Sequence, residues 1–383
     1  MKLKTLFGLI LLVVSVSFAF NSQPISIKSQ HQLFMGGTAV SNTFNELALI
    51  HNPAALGLNK QAVHILRINT NYSEDTTEVI SEFREMKDLT ESAQLGRLSL
   101  LVPKEVNSRL TATPLASYSN NSFAVGLFTD QFLQASLKRK TNPTFAVSYL
   151  GDVVFSTGFA KQVKSLNNGY LGVSFHYINR LKLYDQTTGS ERVILKSDEI
   201  LNMLNESDDS RDLDLVTYSG FDATVGYLKP FTWGADNNAH FGITAKNIFG
   251  HLSGTKTVNN VDRTEGVTVP MVVTTGISST VPYTQLFNFI GKPIVSADFN
   301  IVSPDSDIVD NLYLGIEQPL FGDLITMRGG LNQGYVVGGT SLKLKFNSLK
   351  LCEIAAGYSV DKHGEGSQYN AYKYTTVYVN VLF

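Results

Sequence analysis

GGTAVSNTFNELALIHNPAALGL, residues 36–58, is the only well-punctuated helical stretch ahead of a long series of strand-like segments. Two helix starts are written in it. Thr43 and Glu46 have the spacing of a capping box, a hydroxyl and a carboxylate that satisfy free backbone N–H groups ahead of the apolar run 47–50. Asn52-Pro53 restarts the chain, because Asn is a strong N-cap and Pro at the first helical position loses no hydrogen bond. Two short turns of small residues cannot make a core of their own, so the segment must pack into something larger.

The rest of the chain supplies the larger body. Residues 61–72 read as a strand, and 73–93 carry Val79, Ile80, Phe83, Met86 and Leu89 at helical spacing, a helical insertion in a surface loop. From Gln94 onward short alternating segments succeed one another. Leu171, Val173, Phe175 and Tyr177 alternate with Gly172, Ser174 and His176; Phe221, Ala223, Val225 and Tyr227 alternate with Asp222, Thr224 and Gly226. The same period of two recurs at Phe241–Lys246, at Val295–Ile301 with Asp298 and Asn300 on the polar face, and less cleanly at Leu342, Leu344 and Phe346, which alternate with Thr340, Lys343 and Lys345 on the polar face. A soluble sandwich also alternates. Three features favour a closed barrel instead. Many strands have the length that crosses a bilayer obliquely. Short connections (104–108, 321–324, 347–348) alternate with long ones (73–93, 185–212, 250–266, 360–370). The last strand, 371–383, runs to the terminal Phe383 with Val377, Val379 and Val381 on the same face. The strand count is about fourteen, least certain at 129–142, and a lumen of that width is too large for strand side chains alone to fill.

The chain opens MKLKTLFGLILLVVSVSFAF: Lys2 and Lys4, an apolar run, then Ser17-Phe18-Ala19, the pattern of a signal peptide cleaved after Ala19. No later apolar run is long enough for a membrane helix, so a lipid-spanning chain would need a closed sheet. Charged residues make up 17% of the chain, against about 25% in soluble proteins. Sixteen Tyr and twenty-three Phe suit a wall with one oily face. A net charge of −2 gives no reason to propose nucleic acid as a partner. Cys352 is the single cysteine, which excludes an internal disulfide and a cysteine metal cluster.

Gly36-Gly37, a polar-apolar run, then Asn52-Pro53-Ala54-Ala55-Leu56 resembles the N-terminal hatch of the FadL-type outer-membrane proteins. That superfamily includes fatty-acid and hydrocarbon channels, PorV of a secretion system, TraF-like conjugation proteins and a group of spirochaete barrels. Further short matches are Lys246-Asn247-Ile248, Val269-Pro270, residues 312–317, Met327-Arg328-Gly329-Gly330-Leu331 and Gln333-Gly334-Tyr335. The resemblance implies a signal peptide (1–19), a hatch inside the lumen (20–60) and an antiparallel transmembrane β-barrel (61–383) in the bacterial outer membrane. Gly36, Gly37, Asn52, Pro53, Ala54 and Ala55 are its hatch residues. It implies passive uptake of a hydrophobic small molecule such as a long-chain fatty acid: entry from outside, a shift of the hatch, and exit sideways through a gap in the wall. Pro114, Gly126 and Gly158 are candidates for that gap, since Gly and Pro weaken a ladder. The alternative is a PorV-like scaffold that holds exported proteins through the long loops 73–93 and 185–214.

No catalytic pattern survives. Residues 250–257 (GHLSGTKT) have the wrong spacing for a phosphate loop, and the seven His are dispersed; His176 belongs to a polar lumen face. No enzyme activity, metal or cofactor is expected. In NESDDSRDLD the alternation of Asp208, Ser210 and Asp212 invites a calcium reading, but the Gly and the distal Glu of that loop type are missing. A solvated external loop is the better account. The sharper constellation is Glu317 with Arg328. Alternation puts both in the lumen, and a four-residue turn at 321–324 makes them directly opposed, an inward ion pair that holds the wall or anchors the hatch.

Overall fold

The computed structural model describes residues 27–204, 213–233, 237–281, 289–303, 307–344, 351–363 and 370–382. The signal peptide, residues 20–26, the middle of the acidic loop with its calcium-like triplet, the turn at 347–348 and Phe383 lie outside the described residues. The strands in chain order are β1 (Ala62–Tyr72), β2 (Glu105–Ser119), β3 (Phe123–Lys138), β4 (Thr144–Val163), β5 (Gly169–Asp185) and β6 (Val193–Lys196). Then come β7 (Leu213–Trp233), β8 (Asn237–Lys246), β9 (His251–Val258), β10 (Val261–Thr268), β11 (Val272–Thr280) and β12 (Ile294–Val302). The series ends with β13 (Leu312–Leu320), β14 (Ile325–Asn332), β15 (Tyr335–Leu344), β16 (Leu351–His363) and β17 (Asn370–Leu382).

The sheet closes on itself. β1 pairs antiparallel with β2 on one side and with β17 on the other, from His64↔Leu382 to Tyr72↔Thr375. Tracing the pairs round gives a ring of β1–β5, β7, β8 and β11–β17, fourteen strands, every neighbour antiparallel. Closure removes the open edges that a stacked pair of sheets would leave. The three remaining strands are additions at the rim: β6 pairs with the start of β4, and β9 and β10 form a hairpin that touches β7 at Ser219↔Ser253.

Several expectations are corrected. The insertion after β1 is longer than 73–93 and holds two helices, α3 (Glu74–Met86) and α4 (Glu91–Leu100), which follow α1 (Gln30–Phe34) and α2 (Ala48–His51) of the N-terminal segment. Leu95, Leu98 and Leu101 lie three apart and pack into an apolar cluster with the neighbouring strand ends, so strands resume at Glu105 and 104–108 is not a turn. The loop 250–266 is the β9–β10 hairpin, and 250–257, whose spacing does not suit a phosphate loop, is largely strand. Residues 129–138 complete one long strand, β3, and 139–142 lie in its connection to β4, which fixes the strand count where the sequence leaves it least certain. Thr340 faces outward with Leu342, not inward with Lys343.

Candidate functional site

The N-terminal segment, residues 27–58, meets the wall at many points. α1 (Gln30–Phe34) carries the capping box of this segment: Ser29 Oγ accepts from Gln32 N and Gln32 Oε1 accepts from Ser29 N at 2.8 Å. The box expected at Thr43 and Glu46 does not form. α2 (Ala48–His51) starts at Leu47 without a side-chain cap, Thr43 Oγ1 accepts instead from Gln32 Nε2, and Glu46 turns to the wall. Asn52 does cap the 3₁₀ turn Pro53–Leu58, accepting from Ala54 N.

This segment reaches polar-face positions of strands around the ring. Gly36 and Gly37 both have positive φ and lie against β13 and β14, where a Cβ on Gly36 would overlap Leu314 O and Leu331 O. Asp298 on β12 accepts from Ala39 N at 2.6 Å and Val40 N at 2.9 Å, so one carboxylate holds two consecutive backbone donors. Asn52 Nδ2 donates to Val40 O (2.8 Å) and to Tyr227 O on β7 (3.2 Å). Gly172 and Gly226 are register partners on β5 and β7 and both face Asn52-Pro53-Ala54, which press onto the bare backbone there. Ala54 and Ala55 are fully buried with Leu47, Leu49 and Leu56 in an apolar cluster that includes Phe128, Val154 and Leu228 of the wall. Burial, with Lys246 and Lys28 nearby, holds the His51 imidazole well below its usual range, so it sits neutral in this packing.

Glu317 and Arg328 are opposed in register across the 321–324 turn, and Arg328 Nε donates to Glu317 Oε2 at 2.6 Å. His31 of α1 lies 3.2 Å from the same carboxylate oxygen, and Arg328 Nη1 reaches Gln30 Oε1 (3.4 Å) and Ser341 Oγ (2.9 Å). Gln30 also donates to Glu353 on β16. Replacing Arg328 with Met is expected to lower the unfolding free energy by about 1–3 kcal/mol, because among the described residues Glu317 then keeps only His31 as an ion-pair partner. A urea titration of the bilayer-embedded protein measures it.

The wall has a one-residue slip of β12 against Val273-Thr274 of β11, and at another place two adjacent ladders are interrupted together. β1 bulges at Leu66, a non-glycine residue with φ +58, and β2 places Thr113, Pro114 and Leu115 between its pairs at Ala112 and Ala116. Against β3 this stretch opposes the single residue Phe128. Of the three candidate weak points only Pro114 lies in this break. Gly126 and Gly158 are paired on both sides, and their missing side chains make room for Phe128 and Leu49. Sequence reasoning missed Glu46, which faces the break: its Oε1 is 2.6 Å from Arg67 Nη1 and its Oε2 is 3.1 Å from His64 Nε2.

The outer face of the ring decides what surrounds it. Phe155, Phe159, Phe175, Phe221, Ile277, Ile316, Met327 and Val379 are exposed, Phe221 at 71%, while the alternate positions bury Arg180, Asp152, Asp298 and Arg328. An oily exterior round a charged interior is stable only with hydrocarbon outside. The chain has the fold of an outer-membrane β-barrel. No family model and no curated protein matches it. Among solved structures it is similar to the Ralstonia pickettii toluene transporter TbuX (14% identity, 93% of this chain and 98% of that one, TM-score 0.46). It is likewise similar to the Pseudomonas putida toluene transporter TodX (11%, 95% and 99%, 0.45) and to a Pseudomonas aeruginosa FadL homologue (7%, 94% and 98%, 0.34).

At the long-loop end α3, α4 and α5 (Ser197–Leu204) build a roof. Val79, Met86, Leu98, Leu101, Ile200 and Leu201 pack on Val106, Ala135 and Leu137 at the strand ends and on Val193 and Leu195 of β6. Among the described residues no group of three or more His, Cys, Asp or Glu is arranged to hold a metal ion.

Proposed function

We propose that this barrel takes up hydrophobic small molecules passively, long-chain fatty acids among them, with residues 20–60 as a luminal hatch. In this reading Gly36, Gly37 and Asn52–Ala55 seat the hatch, the Glu317–Arg328 pair anchors α1, and the ligand leaves sideways into the bilayer. The observation that supports it is the interrupted ladder at Leu66 and Thr113-Pro114-Leu115, on the wall beside the N-terminal segment. A regular barrel has no reason to leave two adjacent ladders incomplete at the same height, since every unpaired backbone group in a bilayer is costly. The likeness to toluene transporters and to a FadL homologue agrees with this class of ligand.

Deleting Pro114 and Leu115 tests the exit. Losing two residues keeps the inward–outward alternation of β2 while restoring its register against β3. Cells carrying the deletion should take up labelled oleate or toluene about tenfold more slowly than wild type, at equal amounts of folded barrel. Uptake at the wild-type rate would remove the lateral exit. A second reading, a surface scaffold for exported proteins, draws support from the roof and the adjoining β6, where Leu100 is 75% exposed and Ile80 and Ile194 are exposed too. Normal uptake together with loss of a surface-held protein on removing residues 74–100 would favour it.

A further inference from the structure

The N-terminal segment is tied to the wall in two different ways. Over most of its length it is welded. Asp298 holds Ala39 N and Val40 N, Asn52 bridges Val40 O and Tyr227 O, and bare glycines at 172, 315 and 330 let backbone press on backbone. At residues 43–46, between Asn42, which donates to Ser296 Oγ of β12 at 3.1 Å, and Leu47 in the apolar cluster, the attachment changes. Phe44 is exposed, its ring centroid 4.6 Å from that of His240, Asn45 is half-buried, and the tie to β1 is the fully buried Glu46. Its carboxylate meets Arg67 Nη1 at 2.6 Å and His64 Nε2 at 3.1 Å, and Arg67 Nη2 is 3.1 Å from His64 Nδ1.

His64 and Arg67 are three apart, so a regular strand would point them to opposite faces. The bulge at Leu66 adds one residue and turns both inward. The same irregularity that interrupts the wall therefore builds the cationic receptor for Glu46. A buried carboxylate separated from its guanidinium must be rehydrated. Such a tie holds while the seam is dry and releases when water or a polar group enters, which an apolar weld does not.

We infer that Glu46, Arg67 and His64 form a latch that closes the break in the wall, and that opening moves only residues 43–46 while the rest of the segment stays seated. Glu46 is a positioning residue here, and the inference rests on the uptake reading only for what passes through. Amide hydrogen exchange on the full protein in lipid nanodiscs tests it without any ligand. Glu46→Gln should speed exchange at Leu47 and Ala48 by about tenfold and leave Ala39 and Val40 unchanged. The pair Glu46→Gln with Arg67→Gln removes the unpaired buried cation and should show the same local acceleration even if the single variant folds poorly. Equal acceleration at Ala39 and Val40 means release of the whole segment and overturns the latch, as does no acceleration in the double variant. Local acceleration without faster uptake of oleate or toluene supports the latch and counts against the uptake reading.

Discussion

Replacing Gly172 with leucine is expected to drive residues 52–58 off the wall and turn a closed barrel into a conducting one. A Cβ at this position would overlap the backbone of Pro53 and Ala54, and Gly226 directly across the ladder is already filled by Asn52. Overpacking usually costs about 1–3 kcal/mol, absorbed by side chains that shift. Here the obstacle is main chain, fixed in turn by the Asn52 cap and by Asn52 Nδ2 on Val40 O and Tyr227 O. The strand itself does not suffer, since glycine weakens strands and leucine in β5 strengthens one. Barrel assembly should therefore proceed while the segment is expelled. Planar-bilayer recordings should show steady ionic current from the variant and closed behaviour from wild type, and added protease should cut within 36–58. Gly96→Ala in α4 is the control, because nothing stands within 4 Å of the added methyl. A silent Gly172→Leu barrel with wild-type unfolding would mean that the contact yields easily and the segment is not wedged.

The strands were legible because one physical demand wrote them: oily residues toward hydrocarbon, polar ones inward. Leu171, Val173, Phe175 and Tyr177 are exposed or half-buried as that alternation requires, and Ser174 and His176 are buried between them. The Glu317–Arg328 register was legible for a local reason, since a short turn fixes which residues oppose. The roof was harder. In ESAQLGRLSL the leucines fit a helix, but they also sit among small polar residues as a strand would have them, and only packing against α5 and β6 selects the helix. The β9–β10 hairpin did carry a signal: Asn259-Asn260, both at positive φ, is a two-residue hairpin turn of the Asn-rich kind. Glu46 was beyond reach. Its spacing to Thr43 imitates a cap, whereas its real partner, Arg67, faces it only because β1 bulges at Leu66 between β17 and β2. That bulge belongs to the closed ring and leaves no mark in the local sequence.

Removing the Arg180 guanidinium should be among the most destabilising single changes in the barrel, at about 3–5 kcal/mol. Arg109, Asp130, Asp152 and Arg180 face inward on the consecutive strands β2, β3, β4 and β5, in the order plus, minus, minus, plus. Asp130 and Asp152 are register partners, so two carboxylates stand side by side where opposed like charges repel. Each is held by its own fork: Arg180 Nε and Nη2 both reach Asp152 at 2.7 Å, and Arg109 Nε donates to Asp130 Oδ1 at 2.7 Å while its Nη2 takes Oδ2. Arg180 has no exposed surface and Asp152 almost none. Arg180→Met leaves Asp152 buried and anionic beside Asp130, with desolvation and repulsion acting in the same direction. Asp152→Asn with Arg180→Gln removes both charges and the repulsion together, so its loss should be much smaller than that of Arg180→Met alone. Urea titration of the bilayer-embedded protein, monitored by the loss of its folded mobility on unheated gels, gives the three values. If the double variant were as unstable as Arg180→Met, side-chain packing rather than the uncompensated carboxylate would be what Arg180 supplies, and the row of four would be no more than a polar lining.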